Sequence, residues 1–213
     1  MQIAIALYDH VTSLDAMGPY QVLQHIPGAE TFFVAEQRGE ISDDHGGLRV
    51  IVDRSFADVA APDIFVIPGG FITRKLAVEG SPIVEWVRQA HTTSTWSTSV
   101  CTGALVLGAA GLLDGLDATT HWQAYAELAA FGARPTEQRG VRRGKVITAA
   151  GVSAGIDMGL TLAAIIAGET VAQGIQLGIE YDPQPPFDAG SPEKAPAEIV
   201  EFLRGRSRFY DVA

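Results

Sequence analysis

TWSTSVCTGALVLGAAGLL, residues 95–113, is the stretch on which the fold turns. TWSTSV, 95–100, reads as a buried strand, and GALVLGAAGLL, 103–113, carries the pattern of a helix. Only Cys101 and Thr102 lie between them, so the strand runs straight into the helix. Cys101 is also the one cysteine of the chain.

Outward from this junction the same alternation repeats. QIAIALY (2–8), ETFFVAE (30–36), LRVIVD (48–53) and DIFVIP (63–68) resemble buried strands, and VITAAG (146–151) adds a late one that pairs with the basic hairpin region before it. Helical patterns fall between them: DAMGPYQVLQHI, SPIVEWVRQAHTT, HWQAYAELAAF and IDMGLTLAAIIAG. Alternation of this kind predicts an α/β fold, a mostly parallel central sheet with helices on both faces, with functional residues at the carboxyl ends of the strands. DPQPPFDAGSPEKAP, near 182–196, is rich in proline and reads as an extended arm before a last helix, AEIVEFLRGRSR (197–208).

The length of 213 residues sets a working count of one domain spanning 1–213. Hydrophobic residues at 47% and charged residues at 19% exclude a disordered chain. A formal charge of -10 opposes attraction to phosphate backbones or anionic lipid, so neither nucleic acid nor membrane is expected as a partner. RGVRRGK, 139–145, concentrates four basic residues but reads as a solvated β-turn. No run approaches the ~20 apolar residues of a membrane span, and QIAIALY is too short for a signal peptide. With one cysteine and no intrachain disulfide, the expectation is a soluble, cytoplasmic protein.

The placement of Cys101 fits a sharp strand-to-helix turn that lifts one side chain out of the sheet, with Gly103 where a Cβ would crowd the next strand. At a helix N-terminus the thiolate is expected to be more accessible than at the free pKa of ~8.5. The alternative is a buried cysteine acting as a small hydrophobe. IPGGF, 67–71, ends another strand, and Gly69 and Gly70 expose N–H groups suited to an oxyanion; the alternative is a tight turn. Asp15 in SLDAMGP follows the first strand and serves either the thiol or the start of a helix.

Together LDAMGP, IPGG, SVCTGALVLGAAGLLDG and ATTHW resemble the DJ-1/PfpI superfamily, and within it the isocyanide hydratases, from Gln2 to about residue 205. The resemblance implies a flavodoxin-like three-layer sandwich, a homodimer, a cysteine nucleophile at Cys101 and an acidic partner at Asp15. It implies conversion of isocyanides to N-substituted formamides through a covalent thioimidate, with water as co-substrate and no cofactor. Gly69, Gly70 and Thr102 are then candidates for positioning substrate. Asp15 matches the hydratases, whereas many relatives carry Glu there; Thr102 stands where protease-like relatives carry His; Met17 replaces a hydroxyl residue. A glyoxalase or amide hydrolase using the same cysteine, or a non-enzymatic redox sensor, are the alternatives.

The chemistry requires Asp15 to hold a proton while Cys101 is ionised, the reverse of their reference pKa order of ~3.9 and ~8.5. Burial and a nearby anion would raise the carboxyl, and a helix N-terminus would lower the thiol.

Other features are read as ordinary. GVSAG, 151–155, matches G-x-S-x-G, but no histidine follows it, so Ser153 is read as a helix N-cap. The histidines at 10, 25, 45, 91 and 121 show no metal-ligand spacing, so no metal is expected. His121 is a possible pocket residue or a helix-start histidine, and Trp122 is read as core. The cysteine region also resembles AraC-type regulators, but no helix-turn-helix module follows before Ala213, and a regulator is not expected.

Overall fold

The computed structural model describes residues 1–78 and 81–206. The chain opens with β1 (Gln2–Ala6), crosses over in α1 (Ser13–Leu23) and returns in β2 (Glu30–Val34). A ribbon of β3 (Gly39–Ser42) and β4 (Arg49–Val52) precedes β5 (Ile64–Ile67), and α2 (Thr73–Val78) and α3 (Pro82–Thr93) lead to β6 (Trp96–Val100). After α4 (Gly103–Ala109) come β7 (Asp117–Ala118), a 3-10 turn at Trp122–Ala124, α5 (Tyr125–Ala130) and β8 (Arg134–Pro135). The hairpin of β9 (Gly140–Arg143) and β10 (Val146–Ala149) is followed by α6 (Ala154–Ala167), α7 (Glu169–Gly178), the irregular arm and α8 (Ala197–Arg206).

Six strands form the central sheet in the order β2-β1-β5-β6-β10-β9, parallel except for the β9–β10 pair. Without the antiparallel edge this is the flavodoxin-like order, with the direction of succession reversing between β1 and β5. One core packs against one face of the sheet and draws on α3, α4 and α5; the other lies across the opposite face and draws on α1, α6 and α7. Three layers result, as expected. Register pairs Ile5 with Val66 and Val66 with Thr98, so the carboxyl ends of β1, β5 and β6 lie side by side.

Every residue of β6 is buried, although three of its five residues carry hydroxyls. Thr98 donates to the Phe65 carbonyl at 2.8 Å, and Ser97 meets Ser94 at 3.0 Å and His91 at 2.7 Å. These bonds offset the burial of two of the three hydroxyls, each of which would cost about 1–3 kcal/mol without a partner; Ser99 Oγ is buried with no partner among the described residues.

Several boundaries depart from the sequence reading. LRVIVD was expected among the parallel strands, but β4 pairs only with β3 in an antiparallel ribbon, and Ile51 is 74% exposed. The helix from Gly103 stops at Ala109, just before Gly111 adopts φ 82°, and HWQAYAELAAF divides into a 3-10 turn and α5. Neither α2 nor α7 was anticipated. RGVRRGK forms the β9 edge and its turn: Arg143 binds Asp117, Arg139 binds Asp157, and Arg142 lies over the Trp96 ring. These charges guard an exposed strand edge. The arm, expected to be extended, is irregular and mostly exposed; of the last expected helix, Ser207 and Arg208 lie outside the described residues. No helix among the described residues is long and apolar enough to cross a membrane.

Candidate active site

Cys101 sits on the turn between β6 and α4 with φ 56°, in the left-handed region that a side-chain-bearing residue seldom adopts. Such a conformation costs about 1–3 kcal/mol and persists only where its surroundings hold it. Here the Cys101 N–H donates to Ala150 at 2.7 Å, and the Thr120 hydroxyl donates to the Cys101 carbonyl at 2.8 Å. Gly103 meets its expectation, because a Cβ there would lie 2.1 Å from the Ile67 carbonyl oxygen. Only glycine lets the start of α4 lie this close to β5.

Asp15, in the first turn of α1, has no exposed surface. One carboxyl oxygen, Oδ2, accepts from the Gly69 N–H at 2.8 Å, and the carboxyl lies beside the Cys101 thiol, close enough for each group to shift the other's pKa. The other, Oδ1, is buried with no hydrogen-bond partner among the described residues. The capping alternative is therefore set aside: this carboxylate reaches across to β5 and β6 instead of closing its own helix. Burial pushes the Asp15 pKa up to about 7, against the pull of the Gly69 N–H and the thiol.

The expected lowering of the thiol pKa is not found. Burial first and the Asp15 charge second raise Cys101 well above the ordinary thiol value, outweighing the N–H of Thr102. A single proton held between Cys101 and Asp15 thus rests on the sulfur, and the acid is the member that titrates near neutrality.

Gly69 and Gly70 occupy the expected place but do different work. The Gly69 N–H holds Asp15, and the Gly70 N–H donates to the Thr102 hydroxyl at 3.0 Å, which donates back to the Gly70 carbonyl at 2.9 Å. Neither N–H is free to meet an oxyanion in this arrangement. A Cβ on Gly69 would fall 2.6 Å from Asp15 Oδ2 and 2.8 Å from the Cys101 Cβ, so the glycine is the clearance that lets acid and thiol meet. Thr102 braces the turn through its side chain while its N–H faces the sulfur.

Cys101 is only 6% exposed, yet it is not sealed in apolar packing: it lines a cavity of about 80 Å³ with Thr12, Phe71, Arg74, His121 and Val152. His121 accepts from the Gln123 N–H at 3.3 Å at the start of the 3-10 turn, and it also lines this cavity. Burial and the Arg74 charge lower its pKa to about 4, which leaves the ring neutral at pH 7. Met17 is not among the residues lining this cavity. Ser153 holds the N-cap position of α6, but its side chain makes no capping bond and accepts instead from Arg139 at 3.2 Å.

Sequence reasoning did not single out Thr12, Phe71, Arg74, Thr120 or Val152. Phe71 and Thr120 lie inside the quoted IPGGF and ATTHW, next to residues that were chosen. Tyr8 was also missed; its hydroxyl donates to the Pro68 carbonyl at 2.5 Å and steadies the turn that carries Gly69.

A thiol on a strained turn with a buried carboxyl at three converging strand ends is an arrangement that the sequence likeness anticipated, and a family model agrees. The model of the DJ-1/PfpI family matches residues 1–165. This chain belongs to that family. Isonitrile hydratase of Pseudomonas putida is 40% identical over 207 residues, which are 97% of this chain and 90% of the relative. The crystal structure of a THiJ/PfpI family protein from Pseudomonas syringae superposes with a TM-score of 0.93 at 37% identity, covering 98% of this chain and 86% of the other. Drosophila melanogaster DJ-1beta shares the fold, with a TM-score of 0.76 at 19% identity over 84% of this chain and 97% of its own. The HTH-type transcriptional regulator CdhR of Pseudomonas aeruginosa is 30% identical over 145 residues, 65% of this chain but only 39% of the regulator.

Proposed function

We propose that this DJ-1/PfpI protein is an isocyanide hydratase, converting an isocyanide and water to an N-substituted formamide through a thioimidate on Cys101. The observation that carries the reading is the close pairing, across Gly69, of a solvent-free Asp15 carboxyl with Cys101, which lines a small cavity. The likeness to the Pseudomonas putida isonitrile hydratase over nearly the whole of both chains supports the substrate class.

With the proton resting on sulfur, Asp15 takes it as the thiol attacks the terminal isocyanide carbon, and then delivers it to that same carbon. An S–C bond and a C–H bond form, and the product is a neutral thioimidate. Water then adds across the C=N bond: Asp15 accepts a water proton as hydroxide joins the carbon, and passes that proton to the nitrogen. Collapse breaks the S–C bond, releases the formamide and returns one proton to the pair. Because the unpartnered Asp15 Oδ1 carries no other bond, it is the oxygen assigned to these transfers. Gly69, Gly70 and Thr102 position the pair in this scheme.

The same geometry counts against the redox-sensor alternative, which needs an exposed, readily ionised thiol. Here Cys101 is 6% exposed and the pKa of its thiol is raised.

The test is incubation of the protein with an aryl isocyanide while formamide is followed by NMR. Many turnovers per Cys101 are expected, with kcat/KM rising as pH increases through about 7, where Asp15 loses the extra proton. Formation of no formamide from any isocyanide would reject the activity.

A further inference from the structure

Beside the thiol's cavity lies a second, larger space of about 490 Å³, and His121 and Val152 line both. The first, at about 80 Å³, falls below the 300–1,000 Å³ of ordinary small-molecule sites, whereas the second falls within it. The inner cavity therefore admits a reacting group and little more. An isocyanide group is linear, so once its carbon faces Cys101 the nitrogen and its substituent must continue away from the sulfur along one line. His121 and Val152 form the saddle over which that line can leave the inner cavity.

Resting on the hydratase reading, we infer that the outer cleft is the binding site for the N-substituent, and that it selects aryl or cycloalkyl isocyanides bearing no negative charge. Trp122 and Tyr125 offer half-buried rings, and Leu14 and Val152 add aliphatic surface. The charged lining leans negative: Glu137 and Glu193 stand against Arg139 and Arg204, and Arg139 is already paired with Asp157 at 2.5 Å. An anionic substituent is thus disfavoured, while a flat or cyclic apolar one finds stacking surface. The arm contributes Gly190, Ser191 and Pro192 to the wall, which gives the proline-rich segment a role in enclosing the substituent.

Two variants narrow the cleft from different sides: Val152→Phe at the saddle and Leu14→Trp at the exposed rim. Each is compared with wild type for turnover of methyl and biphenyl isocyanide. In parallel, Cys101 is alkylated with iodoacetamide and with its N-biphenyl derivative, and the products are read by intact mass. The single thiol makes the second measurement independent of any hydratase activity. The bulky-to-small rate ratio is expected to fall at least about tenfold in both assays for each folded variant, the range over which a pocket discriminates shape. A smaller change in a folded Leu14→Trp, at a site 43% exposed, overturns the cleft assignment even if Val152→Phe fails to fold. Absence of formamide from every isocyanide defeats the hydratase reading alone, since the alkylation ratio still decides the cleft.

Discussion

Two strand-to-helix junctions lie side by side in the sheet and look alike in sequence: SVCTGA after β6 and GVSAGI after β10. Each offers a nucleophile followed by a small residue and a glycine. In the first, Cys101 has φ 56° and points its sulfur into a cavity beside a buried carboxyl. In the second, Ser153 has φ -73°, lies exposed and accepts from Arg139. A nucleophile becomes reactive through the backbone conformation that aims it and the acid or base that meets it, and the short motif encodes neither.

The comparison is broken most directly by exchanging the roles of the two sites. Cys101→Ala is expected to reduce formamide production to background, a loss of at least about 10³-fold, while circular dichroism stays that of a folded protein. Turnover in that variant would remove the first junction from the chemistry. Gly103→Ala tests how the turn is held. The added Cβ would meet the Ile67 carbonyl 2.1 Å away, so the loss is expected to reach about 3–5 kcal/mol in urea unfolding, or to prevent folding. A loss under about 1 kcal/mol would mean that β5 and α4 can separate freely.

Asp15→Asn separates function from stability. Activity should fall by about 10²–10⁴-fold. Stability should move the other way, with a definite pH dependence. The folded pKa of about 7 stands above the ordinary 3.8, so the contribution of protonated Asp15 is complete below 3.8 and is lost as pH rises through about 7. The full difference is at most about 4 kcal/mol, and the asparagine, which does not ionise, escapes it. The variant should therefore exceed wild type by about 2–4 kcal/mol at pH 8 and by little at pH 4, measured by urea unfolding at both values. An equal difference at the two pH values would contradict the assignment. The smallest effect is expected at the second junction: Ser153→Ala should change stability by less than about 0.5 kcal/mol and turnover by no more than a few-fold. A loss comparable to that of Cys101→Ala would make the two junctions equivalent after all.

What the sequence disclosed follows the physics of each feature. QIAIALY and DIFVIP were legible as strands because central parallel strands are buried on both faces and leave unbroken apolar runs, whereas TWSTSV is buried with hydroxyls along its run. LRVIVD gave the same impression and misled, since a composition rich in Val and Ile does not say whether a strand joins the main sheet or a surface ribbon. Cys101 and Gly103 were readable from their junction, where the turn demands particular residues. Asp15 was found, but its use in place of a cap depends on Gly69, 54 positions away. The thiol pKa was misjudged because a helix start is local in sequence while the burial that outweighs it is not. Phe71, Arg74 and Val152 come together only when three loops meet at one sheet edge, and nothing in their own segments marks them.

The most direct test of the central claim is rapid-quench intact mass spectrometry of the protein mixed with one equivalent of an aryl isocyanide. A transient species heavier by the full mass of the isocyanide, located on Cys101 and decaying at the rate at which formamide appears, is the predicted result. Formamide released with no such adduct, at the same rate in wild type and Cys101→Ala, would contradict it.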